Sequence, residues 1–133
     1  MIHKTSKIVF AILALIALIS CKNTKQKLQE YVVAYNTEAV NFKADHVKLT
    51  TARGYINDDK IELRFETDLE QNEKNKKNAE ASFPLLLKKM FKKNQIPQEL
   101  INEGVVFHVY FLADDNTVFD HEVINKEELS KFL

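Results

Sequence analysis

The chain has 133 residues, 45% hydrophobic and 29% charged, which are the proportions of one small globular unit. Nineteen basic residues balance nineteen acidic ones, and setting aside Lys4 and Lys7 at the start leaves 17 against 19, so no cationic field marks a nucleic-acid binder. The single cysteine excludes an internal disulfide, and two glycines are too few for a phosphate-cradling glycine loop.

In chain order, His3, Lys4 and Lys7 precede an apolar run from Ile8 to Ile19 that is closed by Ser20. The run falls short of the roughly 20 residues that cross a hydrocarbon core. Its length and basic flank are those of a secretory signal peptide, expected over residues 1–20. The four residues Leu18-Ile19-Ser20-Cys21 resemble the lipobox of bacterial lipoprotein precursors. That resemblance implies a diacylglyceryl lipid on the Cys21 sulfur, cleavage before Cys21 and acylation, commonly with palmitate, of the freed amine. Each buried methylene adds about 0.8 kcal/mol, so two or three chains hold a protein on a membrane that it does not span. The non-acidic Lys22 implies, by the same resemblance, an outer-membrane address facing the periplasm.

Residues 21–27 read as the lipidated Cys and a polar tether, and residues 28–133 as a single α+β domain. Leu28, Tyr31, Val32, Tyr35 and Ala39 form one helical stripe, with Thr24 as the expected cap. A hairpin follows: Ile61, Leu63 and Phe65 alternate with Glu62, Arg64 and Glu66, Asn57-Asp58-Asp59 make the turn, and Gly54 marks a candidate bulge. The lysine-rich stretch after it is a loop or a solvated helical lead-in. Phe83, Leu86, Leu87 and Met90 then carry helical spacing, with Ser82 and Pro84 placed like a cap and first turn. Pro97 opens a short helix that Gly104 ends. In the second hairpin a three-residue loop, Asp114-Asp115-Asn116, sets Phe111 opposite Phe119, Val109 opposite His121 and Phe107 opposite Val123. Asn125 and Glu128 resemble a capping box opening a short C-terminal helix through Leu129 and Phe132. The expected architecture is α+β, in the order α-ββ-α-α-ββ-α, with an antiparallel four-stranded sheet covered by helices.

Chemistry is sparse. Ser82 and Ser130 lack a nucleophile context, and the acidic turns Asp58-Asp59 and Asp114-Asp115 do not match a calcium loop. The expected hairpin register puts His108 across from Glu122 and Tyr110 across from Asp120. His108, Asp120 and Glu122 are thus the candidate metal set, weighed against a plain cross-strand polar pairing. His121 falls on the apolar face, where a satisfied imidazole is the ordinary outcome. Lys88, Lys89, Lys92 and Lys93 cluster on the second helix, as a solvated face or as a surface for an acidic partner. Tyr110, beside Val106 and Leu112, makes the outer strand face partly apolar and is a further interaction candidate.

From Tyr35 to Ile124 the layout is similar to that of small secreted α+β proteins with an Asn near the end of the first helix. The matching residues are Asn36 and Leu100 through Tyr110 in LINEGVVFHVY. That resemblance implies no activity. The residues point away from an enzyme and call for no cofactor. The reading is a lipid-anchored envelope protein acting as a binding module, with the membrane and an envelope protein as partners and no nucleic acid or disulfide-linked partner. The alternative is a small-ligand or metal-binding lipoprotein with a pocket between sheet and helices, lined by Tyr31, Tyr35 and Tyr55. Cys21→Ser is expected to leave an uncleaved or mis-sorted precursor that has lost membrane fractionation; unchanged fractionation of that variant would rule out the anchor.

Overall fold

The computed structural model describes residues 23–133; Cys21 and the signal segment lie outside the described residues. The order is α1 (Thr24–Glu38), β1 (Val47–Tyr55), β2 (Lys60–Thr67), α2 (Glu73–Lys92), α3 (Gln98–Asn102), β3 (Val106–Leu112), β4 (Val118–Ile124) and a closing 3-10 turn, Leu129–Phe132. The strands lie in sequence order in one four-stranded sheet, which gives the α+β class expected. β1–β2 and β3–β4 are antiparallel hairpins, but β2 and β3 run parallel, so the sheet is mixed and not wholly antiparallel. Parallel neighbours need a return connection, and the 20-residue α2, with α3, supplies it.

The two hairpins meet along their most apolar strands. Ile61, Leu63 and Phe65 of β2 lie beside Phe107, Val109 and Phe111 of β3, all buried. Tyr31 of α1 packs on Phe107 at 5.6 Å between ring centroids, and Phe83 of α2 packs on Phe65 at 6.0 Å and Phe111 at 4.9 Å. Both long helices therefore cover the same face. The other face, carrying Thr51, Arg64, Tyr110 and His121 in one row across the strands, has no helix over it among the described residues.

Several local expectations shift. The cap of α1 is Asn23, whose side chain accepts from Gln26 N–H while the Gln26 side chain accepts from Asn23 N–H, a capping box one residue ahead of Thr24. Thr24 to Lys27 are thus helical and not tether, and Lys27 is fastened to Glu99 and Glu103 at 3.0 and 3.1 Å. The bulge in β1 falls between Val47 and Leu49. Gly54 instead lets α1 approach: a Cβ there would stand 2.9 Å from Leu28 Cδ2 and 3.2 Å from Val32 Cγ2. The lysine-rich stretch is helix, with α2 starting at Glu73 behind the cap Asn72, so Pro84 lies inside the helix.

In the second hairpin Asn116 takes the left-handed conformation expected, at φ 66°. A bulge then changes the register: Leu112 pairs with Val118 but Phe111 with Asp120, Val109 with Glu122 and Phe107 with Ile124. The added residue, Phe119, is buried, and making room for that ring shifts everything after it by one position.

Two polar devices hold the β1 edge. The Asn36 side chain accepts from Ala52 N–H at 2.8 Å and donates to Ala52 C=O at 2.9 Å, so it occupies the outward backbone groups of an edge strand. Thr50, 2% exposed, donates to Arg64 C=O at 2.9 Å; its only proton being used, the 2.6 Å contact with Tyr35 has the phenol as donor. Tyr31 donates to Gln95 C=O at 2.6 Å. These bonds fill the space where the sheet-to-helix pocket was expected, while Tyr55 lies off this face, under the Lys60 ammonium at 4.3 Å.

Asn36→Ala removes both bonds to Ala52 and is expected to cost about 1–3 kcal/mol, read from the urea midpoint. It also exposes a pairing edge, so sedimentation should show new concentration-dependent association; a monomer of unchanged stability would contradict the role given to Asn36.

Burial raises the Tyr35 phenol to about 12 and the Tyr31 phenol well above its usual value of 10. A phenol whose folded pKa is raised gives stability that is intact below about pH 10 and lost as pH climbs toward 12. Absorbance at 295 nm should therefore show these two tyrosines ionising only together with loss of helical circular dichroism; their ionisation ahead of unfolding would overturn this account.

Candidate functional site

Between α2 and residues 41–46 runs a groove of about 970 Å³. Its shape depends on the loop, which turns into β1 at His46, a residue at φ 65°. His46 C=O accepts from Asp68 N–H at 3.0 Å, and the His46 ring lies 3.1 Å from the Asp68 carboxylate, so the loop is pinned to the end of β2. The α2 wall is one helical stripe: Asn78, Ser82, Leu86, Lys89 and Lys93 follow at steps of four or three.

Phe42, Phe83, Leu86 and Met90 form the apolar floor, which continues into the core through Phe42 on Phe65 at 5.5 Å. Lys43, Lys74, Lys89 and Lys93 stand around it, against one acid, Asp45. Among the described residues none of these lysines has a salt-bridge partner. The arrangement presents unneutralised positive charge over apolar surface.

The four lysines singled out in the sequence therefore divide. Lys89 and Lys93 line the groove, whereas Lys88 and Lys92 are exposed outside it. Phe42 and Lys43 gave no sequence signal, because they come from a loop brought beside α2 by long-range contacts, Phe42 on Phe65 and His46 with Asp68. The helical spacing of Ser82, Leu86, Lys89 and Lys93 was the signal that separates the two lysine pairs.

The candidate metal set is not assembled. Asp120 and Glu122 pair with Phe111 and Val109 and lie on the helix-covered side of the edge strand, while His108 lies on the open side. Burial, with Glu80 nearby, raises the Asp120 carboxyl; burial, then Asp120 itself, raises Glu122. Both are the response of carboxylates to an apolar margin. Among the described residues no three His, Cys, Asp or Glu side chains are grouped to hold a metal ion.

His121, expected on the apolar face, is instead on the open one. Its ring stacks on Tyr110, the register partner, at 4.2 Å and 6° between planes. His121 Nε2 lies 3.4 Å from His108 Nδ1. Burial, then the positive charge of Lys60, lowers the His108 imidazole from its usual value. Tyr110 is thus half-buried against a histidine and is not a bare aromatic patch.

No family model matches the chain, and no curated protein matches it. Among solved structures it is similar to the type II secretion system pilotin AspS from Vibrio cholerae, at 12% identity and a TM-score of 0.44 over 77% of this chain and 95% of that one. It is also similar to EpsS, the pilotin of the Vibrio vulnificus type 2 secretion system, at 10% identity and a TM-score of 0.44 over 77% and 94%.

Proposed function

We propose that this protein is a lipid-anchored envelope binding module, non-enzymatic, held at Cys21 in the outer membrane with its domain in the periplasm. In this reading residues 1–20 are the cleaved signal peptide. The groove between α2 and residues 41–46 takes an acidic, amphipathic segment of another envelope protein. The observation that carries the reading is the lysine rim, Lys43, Lys74, Lys89 and Lys93, over an apolar floor. Apolar side chains of the segment enter the floor and its carboxylates meet the ammonium groups, which speeds association and selects against basic partners. The pocket alternative is less supported, because the phenols of Tyr31 and Tyr35 are bonded within the fold.

A photo-crosslinking residue at Lys89, in the full-length protein in its own envelope, is expected to yield one dominant adduct. Lys43→Ala with Lys93→Ala should reduce that adduct by tenfold or more, and the same probe at Lys92 should give none. No adduct at Lys89, or equal adducts at both positions, would overturn the groove as the binding site.

A further inference from the structure

The open face of the sheet carries two histidines whose ring nitrogens are turned toward each other. His108 and His121 stand diagonally across β3 and β4, since Tyr110 pairs with His121 and His108 with Val123. His108 Nδ1 and His121 Nε2 are 3.4 Å apart, with ring centroids at 5.5 Å and planes within 27°. In a hydrogen bond of that length one imidazole donates its single proton to the lone pair of the other. The same separation has a second meaning. Two imidazole nitrogens bound to one tetrahedral ion, at bond lengths of about 2.0–2.1 Å, stand about 3.4 Å apart.

From this geometry we infer that His108 and His121 form a surface site for a transition-metal ion, Zn²⁺ being the probe, in which the ion replaces the shared proton. Imidazole nitrogen suits Zn²⁺, and binding needs the lone pairs of both facing nitrogens, so the shared proton moves to the far nitrogen of its own ring as the ion enters and both imidazoles stay neutral. The remaining positions are open to water or to a ligand atom from outside the chain. Tyr110 prepares the site, because its ring lies flat against His121 at 4.2 Å and fixes that imidazole. Glu62 is the register neighbour of His108 on β2 and lends negative charge from the adjoining strand. The opposing charge, Lys60, lies over the Tyr55 ring at 4.3 Å. This site lies on the face opposite the helices and does not depend on the groove.

The test uses the full chain carrying His3→Ala and Cys21→Ser, which removes the N-terminal ligands. Titration with Zn²⁺ alone, followed by calorimetry and by the histidine ring resonances, is expected to show one equivalent bound. The His108 and His121 resonances should move together and that of His46 stay still. His108→Ala or His121→Ala should each weaken binding at least tenfold, while His46→Ala leaves it unchanged. Absence of saturable uptake, uptake that survives His121→Ala, or uptake that follows His46 would each overturn the site. The resonances are read on protein that keeps both histidines, so a fold defect in a variant does not decide the outcome.

Discussion

Ile61, Leu63 and Phe65 of β2, lying beside Phe107, Val109 and Phe111 of β3, hold the two strands together, and this parallel contact sets the rest of the architecture. Two hairpins joined in this way leave the chain at one end of β2 and need it back at the other. The return must be made over one face of the sheet, which is where α2 lies, with Phe83 resting between Phe65 and Phe111. Once the centre of that face is apolar, α1 and the terminal turn bury Leu28, Leu129 and Phe132 against it. Among the described residues no helix lies on the opposite face. Its side chains are correspondingly polar: Arg53, Glu62, Arg64 and His121 are what β-strands carry when only one side is needed for a core.

The two surfaces with chemical potential are by-products of this one-sidedness. Where α2 and the loop after α1 fail to close over the core, Phe42 and Leu86 are left as an apolar floor between lysines. Where the bare face brings β3 and β4 together, the bulge at Phe119 turns His121 toward His108. Without that extra residue His121 would face the core and Asp120 the solvent. A single inserted ring therefore decides which side chains share a surface.

The elements were legible from the sequence because each is announced locally. Alternation in Ile61–Glu66, helical spacing from Phe83 to Met90, the Pro97 and Gly104 boundaries and the Asn116 turn all depend on residues within a few positions of one another. What was not legible is relational. Nothing in either hairpin states which of its strands will meet the other hairpin or in which direction, so the parallel junction was invisible. The Phe119 bulge was invisible for a related reason: burial of Phe119 and the half-burial of Asp120 are consistent only because β4 is an edge strand, where a carboxylate on the core side still reaches water. Gly54 was noticed for the wrong cause, since its constraint comes from Leu28, distant in sequence. The lysines were legible as a group, but their division into Lys89 and Lys93 against Lys88 and Lys92 depends on where residues 41–46 come to rest.

The capping box at Asn23 leaves only Lys22 between it and Cys21. An extended chain advances about 3.3–3.6 Å per residue, so with the proposed anchor at Cys21 the first turn of α1 would stand within about 7 Å of the lipid attachment. A leash that short restrains attitude as well as distance. On the proposed Cys21 anchor the domain would be unable to roll freely, and the end formed by the start of α1 with Glu99 and Glu103, clamped by Lys27, would stay nearest the bilayer. The 15 residues of α1 span about 22 Å, so the loop beyond its far end meets its surroundings from a height and bearing set by one helix. On that proposal, diffusion in the membrane plane would replace tumbling as the motion that brings this domain to whatever it meets.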